Sequence, residues 1–377
     1  MKINRRHFLG SISAVSAGLA LPFTSHLHAM DKAAKPMSIL ILGGTGFIGP
    51  HMVNQCLARG HKVTLFNRGK RNTHLFPDLE TIVGNRDPNV DEGLKGLTDR
   101  KWDVVIDNSG YIPRHVNGSA EKLKDACDHY LFISTVAVYS DFSILDADET
   151  APLKTIDDPT IEDARKYYGE LKVLCENAVQ KHYPKNHTIL RPTYIVGPGD
   201  HTDRFIHYID RPMHGGTMAM PGKPDNGIPY VDVRDLAAHT VRCLENKVVD
   251  TQNMINKPRT DSWGDFIKHS IALSQSEVDV EWLSLEFLKT QEGYNGPYTP
   301  FPMWSNDYAQ DSRGKTNLSQ ARAVSSGFTN RPFKETITDT YNWWMQQSVE
   351  RRTTKKRKNF TMEMEKELLQ AWGAFNA

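Results

Sequence analysis

The sequence predicts an α/β fold, a doubly wound Rossmann-type parallel sheet with a smaller C-terminal substrate lobe. Three observations predict it. Over the first 200 residues, short apolar runs of strand length alternate with helical segments, which implies a parallel sheet covered by helices on both faces. The first run, SILIL (38–42), is apolar almost throughout, as in a strand buried on both sides. It leads directly into a glycine-spaced turn, GGTGFIG (43–49), that opens a helix. A glycine turn in that context is built to bind a dinucleotide.

The elements follow in order. FIGPHMVNQCLARG carries helical spacing and ends at Gly60. Strands are expected in HKVTLFNRG, ETIVGN, KWDVVIDNSG and HYLFISTVAVYS, with helical segments between several of them. A long helix from about Ile161 to Tyr183 precedes a further strand, TILRPTYIVGP. After Gly197 the rhythm breaks into loops rich in Pro, Gly and His; a strand and helix return at IPYVDVRDLAAHTVRCLEN (228–246). The expected organisation is a dinucleotide-binding domain over 30–197, completed by about 228–256, with a substrate lobe from 198–227 and 257–350. Residues 351–377 hold a basic linker (Arg351, Arg352, Lys355, Lys356, Arg357, Lys358) and a last helix.

Residues 1–29 read as an export signal: Arg5 and Arg6 before Phe8 and Leu9, an apolar run, and a cut after Ala29. The run is too short and too rich in Ser, Gly and Ala to span a bilayer, so no stable membrane insertion is expected. The arginine pair resembles the twin-arginine signal, which moves folded proteins, so the expected location is periplasmic and the export machinery an expected partner. Cleavage would leave 377 − 29 = 348 residues. A hydrophobic fraction of 39%, a charged fraction of 24% and a net charge of +1 suit a globular protein with no general attraction to nucleic acid. Cys56, Cys127, Cys175 and Cys243 form no CxxC pair and fall in stretches read as helix, so they are expected to be buried free thiols.

In the glycine turn, Gly43 permits the tight turn, Gly46 the approach of a pyrophosphate to the backbone around Thr45, Phe47 and Ile48, and Gly49 the close packing of helix on strand. At the end of the second strand an NAD site carries an acidic residue; here Asn67 and Arg68 stand there, followed by Lys70 and Arg71. That favours NADP over NAD, with a solvated basic turn as the alternative. In YGELK, Tyr168 and Lys172 lie four apart, one turn along one helical face. A neighbouring ammonium lowers a phenol pKa from its usual value of about 10, fitting Tyr168 to act as a general base on an alcohol. Thr135, near the end of HYLFISTVAVYS, is placed to hold the same substrate oxygen, and Ser134 is its rival on the opposite face.

Together GGTGFIG, ISTVAVY, YYGELK, RPTYIVGP and YVDVRDLA resemble the extended short-chain dehydrogenase/reductase family, the NAD-dependent epimerase/dehydratase group, a resemblance that covers about residues 38 to 345. The resemblance implies a catalytic set of Thr135, Tyr168 and Lys172, with Lys172 also on the nicotinamide ribose. It further implies a cofactor site lined by Asn108, Ser109, Gly110 and Ser134, with Asn85 near the adenine in place of the family's usual Asp. Arg191 to Gly197, including Pro192 and Ile195, would flank the nicotinamide end, and Tyr230 to Asp235 would close the site. It also implies a homodimer joined through the Tyr168 helix. One departure matters: sugar dehydratases of the family carry Asp-Glu directly after the catalytic Thr. Here Val136 and Ala137 cannot transfer protons, which argues against dehydration.

Tyr111, Arg204, Tyr230 and Trp304 are the expected substrate contacts, and Tyr294, Tyr298 and Phe301 add aromatic surface with loop anchoring as the alternative. His201, His207 and His214, spaced by six and seven, match no metal motif, so no metal is expected. The function expected is an exported NAD(P)-dependent sugar epimerase or oxidoreductase. Outside the cytoplasm no pool of reduced nicotinamide exists, so a recycled cofactor and a free sugar or glycoside are favoured. The alternatives are a carbonyl reductase or dehydrogenase of a non-sugar substrate, and an RNA-binding relative, because the glycine turn and NRGK also resemble chloroplast stem-loop-binding proteins. The near-zero net charge and the intact Thr-Tyr-Lys set argue against nucleic acid.

Overall fold

A computed structural model describes residues 32–296, 299–306, 316, 318–353 and 360–377. The export signal, Tyr298 and the lysines of the basic linker lie outside the described residues. Six parallel strands build the first lobe: β1 (Ser38–Leu42), β2 (Lys62–Asn67), β3 (Glu80–Val83), β4 (Trp102–Asp107), β5 (Cys127–Ile133) and β6 (His187–Pro192). Two short strands follow, β7 (Ile195–Val196) and β8 (Gly216–Pro221), then β9 (Val231–Asp232) and β10 (Asp250–Met254). β10 returns to the main sheet, giving the order β3-β2-β1-β4-β5-β6-β10, all parallel.

The alternation of β1 explains its unbroken apolar run. Ile39 and Ile41 join one core with α1 (Ile48–Ala58), whereas Leu40 and Leu42 join the opposite core with α2 (Pro113–Leu123) and α3 (Tyr168–His182). Both faces are buried, so no polar residue is tolerated on either. Strand order reverses beside β1, and crevices for ligands open at the carboxyl ends of strands at such a point.

Four local expectations are corrected. The strand expected through Ser140 stops at Ile133; Thr135 then caps a single 3₁₀ turn over Val136–Val138 by accepting the Ala137 N–H at 3.1 Å. The long helix begins at Tyr168, because the Asp163 carboxylate accepts the N–H groups of Arg165 and Lys166 and holds that stretch in a turn. TILRPTYIVGP splits after Pro192, and β7 pairs with β9 in a separate ribbon. Cys127 lies in β5 rather than a helix, although all four thiols are free and buried as expected.

The second lobe holds α4 (Ile206–Asp210), α6 (Trp263–Ser274), β11 (Val278–Leu283), α7 (Leu285–Thr290), α9 (Phe333–Met345), α10 (Val349–Thr353) and α11 (Met362–Phe375), whereas α8 (Ala321–Ser325) packs on β10 of the main sheet. α5 (Val233–Glu245) packs on α1 beneath the sheet. The core of this lobe is aromatic: Phe205 stacks on Phe266 and Tyr230 on Phe333, each with centroids 4.4 Å apart. β8 pairs with β11, and α11 is fastened beside them by buried Glu365, which accepts from Arg211 Nε at 2.5 Å and from Ala219 N at 2.9 Å.

Candidate active site

A single cleft of about 930 Å³ runs along the carboxyl ends of β1, β2, β4, β5 and β6. Its lining includes the glycine turn at one end and Thr135, Tyr168, Tyr194 and Arg204 at the other.

The turn is shaped as its spacing requires. Gly43 has φ +98°, a conformation that favours glycine. A Cβ on Gly49 would lie 2.5 Å from the Gly44 carbonyl carbon, so the helix approaches the strand only because that residue has no side chain. A Cβ on Gly46 would meet nothing within 4 Å, so the turn leaves open space at that point of its contour. The first turn of α1 holds no acidic side chain and its N-cap, Phe47, makes no side-chain cap, so the amides there keep their capacity for an anion. These features fit a dinucleotide pyrophosphate: Thr45, Gly46, Phe47 and Ile48 would hold it.

Beyond the turn, the Asn67 side-chain carbonyl accepts the Gly69 N–H at 2.8 Å and fixes the loop that carries Arg68, Lys70 and Arg71 along the cleft. Asn85 lines the same end and is locally tied, accepting from Asp87 N at 3.0 Å and donating to Asp91 at 3.2 Å. Its neighbour Arg86 is a residue the sequence did not single out. It grips buried Asp107 through two bonds of 2.6 and 2.8 Å and also reaches Ser109 and Ser119. Tyr130 donates to the same carboxylate at 2.7 Å. Despite the burial of Asp107, the Arg86 charge keeps its carboxyl below the usual range. Asn108 and Ser109 line the cleft, whereas Gly110 does not: a Cβ there would strike Val116 at 2.6 Å, and its carbonyl serves Lys172.

Thr135 and Tyr168 come together in the lining of the cleft, and the Thr135 hydroxyl acts to lower the pKa of the phenol. Ser134 does not compete. Its hydroxyl donates at 2.5 Å to Glu176, which pairs bidentately with Arg191 at 3.0 and 2.7 Å in a buried network reaching Tyr139 and Asn253. Lys172 departs from expectation. Its ammonium donates to the carbonyls of Gly110 (2.8 Å) and Ile133 (2.7 Å) and sits 4.0 Å from the Phe132 ring centroid. Burial lowers its pKa to about 8. The expected lowering of the phenol is therefore not seen. Although one face of the Tyr168 ring is open to the cleft (36% exposed), the surrounding walls push its pKa up to about 12, with Tyr111 adding to the rise. Thr135 and Arg204 act against that rise.

A model of the NAD dependent epimerase/dehydratase family matches residues 39–256. The chain belongs to that family. Among curated relatives, the chloroplast stem-loop binding protein of 41 kDa b of Arabidopsis thaliana is 27% identical over 229 residues, 57% of this chain and 57% of that protein. The sterol-4-alpha-carboxylate 3-dehydrogenase (decarboxylating) of Mus musculus is 24% identical over 307 residues, 74% and 76% of the two chains. A UDP-glucose 4-epimerase of Neisseria meningitidis is 28% identical over 222 residues, 52% and 60%. The matches to the first and third thus span little more than half the length of those relatives. The UDP-glucuronic acid 4-epimerase of Bacillus cereus, solved in complex with NAD, has the same fold (TM-score 0.60, 18% identity, 81% of this chain and 96% of that one). So does a UDP-glucose 4-epimerase (TM-score 0.60, 17% identity, 82% and 98%).

On the substrate side this family member keeps two of the four expected contacts in the cleft. Tyr111 is 51% exposed there, its ring 6.3 Å from that of Tyr168, and Arg204 stands across from them with its guanidinium 5.2 Å over the Tyr194 ring. Tyr230 and Trp304 are not in the cleft. Tyr230 is buried against Phe333 and donates to Asp261 at 3.0 Å; Trp304 is buried against Trp263 and donates to Asn306 at 3.2 Å. Both serve the aromatic core of the second lobe, as do Tyr294 and Phe301. Pro192 and Ile195 line the cleft at the Tyr168 end.

Proposed function

We propose that this chain is an NAD(P)-dependent enzyme that interconverts a carbinol and a ketone of a sugar-like small molecule, with Tyr168 as acid and base and Thr135 holding the reacting oxygen. The observation that carries this reading is the continuity of one cleft from the glycine turn to the Thr135–Tyr168 pair. A dinucleotide bound along it supplies the hydride acceptor and donor. Tyr168 is protonated at neutral pH in the protein alone, the form that donates to a carbonyl oxygen. Taking a proton from a carbinol calls for positive charge near the phenol, which the buried ammonium of Lys172, held by two carbonyls, and a bound oxidised nicotinamide would both favour. Val136 and Ala137 next to Thr135 offer no second acid or base, which restricts the chemistry to oxidation, reduction or epimerisation.

Arg68, Lys70 and Arg71 at the β2 end, with no acidic neighbour in the lining, support NADP over NAD. The arginine pair Arg5–Arg6 supports export after folding, and export favours a cofactor that is carried and recycled, hence an epimerase. A dehydrogenase is the second reading, favoured by the sterol dehydrogenase, whose match extends over 74% of the chain. Denaturing protein purified without added cofactor and identifying the released dinucleotide by mass spectrometry tests the proposal. Stoichiometric NADP or NAD supports it; protein with none, and with only loose affinity for either, refutes the recycled cofactor. With a substrate in hand, Tyr168→Phe should lower turnover by about 10²–10⁴-fold.

A further inference from the structure

The charges along the cleft are of one sign. Among the described lining residues there is no Asp or Glu, whereas Arg68, Lys70, Arg71, Arg86, Lys154 and Arg204 all contribute. On a chain whose net charge is only +1 this is a local feature rather than a property of the whole surface. Most of these cations have an account already. Arg68, Lys70 and Arg71 belong to the β2 end, Arg86 is neutralised by Asp107, and the Lys154 ammonium lies 3.5 Å from the Glu170 carboxylate.

Arg204 has none. It enters from the second lobe at the Tyr168 end, and no described carboxylate lies within ion-pair distance of it. Its Nε donates to Thr202 Oγ1 at 3.1 Å, and that hydroxyl donates in turn to buried Asp200 at 3.0 Å, whose other oxygen accepts the Thr202 N–H at 2.8 Å. Asp200 is thus used through Thr202 to orient the guanidinium, and among the described residues no hydrogen bond occupies its two terminal nitrogens. Burial raises both the Tyr168 and Tyr111 phenols, and the Arg204 charge opposes the rise in each, which places its field on the hydroxyls that would meet substrate. A planar guanidinium with both terminal nitrogens available suits a bidentate oxyanion.

From this geometry we infer that the substrate is itself a small anion, a sugar bearing a carboxylate or phosphate that Arg204 binds while Thr135 and Tyr168 hold the carbinol. Size supports a small acid over a nucleotide-linked one. Pockets for a single ligand span about 300–1,000 Å³, and this cleft of about 930 Å³ must take both a dinucleotide and the substrate. The inference deepens the proposed function and depends on it.

The test uses the full holoprotein and its Arg204→Gln variant, with D-glucuronate, D-glucose 6-phosphate and methyl β-D-glucoside as probes, binding being read by calorimetry and thermal shift. The expected result is that at least one of the two anions binds more tightly than the neutral glucoside, and that Arg204→Gln weakens that anion by on the order of 10–100-fold while leaving the glucoside unchanged. Response to glucuronate alone assigns a carboxylate, and response to the phosphate alone assigns a phosphate. Equal binding of all three probes, no binding of either anion, or an anion affinity that Arg204→Gln leaves intact would overturn the inference. So would tight binding of a stem-loop RNA by protein that ignores both anions. Released dinucleotide and affinity for added NAD and NADP are measured on the same samples: cofactor binding with a failed anion test sinks this inference alone, and no binding of either dinucleotide sinks the proposed function beneath it.

Discussion

Ser134 and Thr135 are adjacent hydroxyls at the end of one strand, and the structure gives them opposite work. Replacing Ser134 by Ala removes the donor that reaches Glu176 at 2.5 Å but leaves that carboxylate its two bonds from Arg191 at 3.0 and 2.7 Å. The loss is one hydrogen bond to a buried charge, about 1.5–3 kcal/mol. In a chain of this size that lowers the melting temperature by on the order of 5 °C. Nothing in the cleft depends on the Ser134 hydroxyl, so dinucleotide content and turnover should stay within about twofold of the parent. Thr135→Ala should behave in reverse. It removes the cap on the Ala137 N–H, a cost of about 1 kcal/mol, and with it the hydroxyl beside the Tyr168 phenol. Turnover should then fall by about 10²-fold, the scale of losing one donor to a reacting oxygen. Calorimetric melting and single-turnover reduction of the bound dinucleotide, run on both variants, separate the two. A Ser134→Ala protein that melts normally but has lost turnover, with Thr135→Ala active, would refute the assignment.

Other consequences follow from the packing and charges of the same molecule. Gly49→Ala should cost about 1–3 kcal/mol and strip the purified protein of dinucleotide, because the new methyl would sit 2.5–2.6 Å from backbone atoms of Gly43 and Gly44; unchanged dinucleotide content would count against the turn as its site. Glu365→Ala leaves Arg211 charged and buried without its partner, so melting should show a loss of about 3–5 kcal/mol and limited proteolysis should release α11 first. Asp235 has its pKa raised to about 6, first by burial and then by Asp232, against the pull of Arg331. A carboxyl raised in the folded state stabilises below its unfolded pKa of about 3.9, and that contribution is lost as pH climbs through 6. The difference in stability between the parent and Asp235→Asn should therefore change by about 2–3 kcal/mol between pH 4 and 7 and be flat outside that window, as urea titrations across pH would show.

The first lobe was legible because its strands are buried on both faces. After Ser38, SILIL admits no polar residue, because Ile39 and Ile41 face α1 while Leu40 and Leu42 face α2 and α3, so strand length and apolarity are enough to find it. The elements that were misplaced are those where a side chain outcompetes the backbone pattern. Asp163 diverts the residues before Tyr168 into a turn, Thr135 ends a strand by capping the next turn, and Pro192 has no N–H with which to continue the ladder. Each is a single polar or cyclic residue inside an otherwise persuasive periodicity. Such residues act through specific hydrogen bonds that periodicity does not count.

The site divides along a similar line. Residues whose role is set by backbone shape, the glycines above all, could be assigned from spacing, because only glycine fits at Gly49 and Gly43 whatever surrounds them. Residues whose role is set by where a long side chain ends could not. Lys172 lies on α3 as expected, yet its four-carbon stem carries the ammonium to the carbonyls of Gly110 and Ile133, partners that the spacing does not announce. Tyr230 and Trp304 have the aromatic surface to stack on a sugar, but in a lobe whose core is built from stacked rings the same surface is worth more inside. Arg86 and Asp107 sit 21 positions apart with nothing between them to announce a pair, and only the parallel register of β1 with β4 brings Asp107 beside Leu42 at the mouth of the cleft. Arg204 was legible for the opposite reason: it is a lone cation in a loop, two residues from Thr202, and the Asp200–Thr202 relay that orients it is local in sequence. Charge whose compensation is local can be read from a sequence; charge compensated across the fold cannot. Arg204, oriented through that local relay yet with no described carboxylate at ion-pair distance, is the group to test first for substrate recognition.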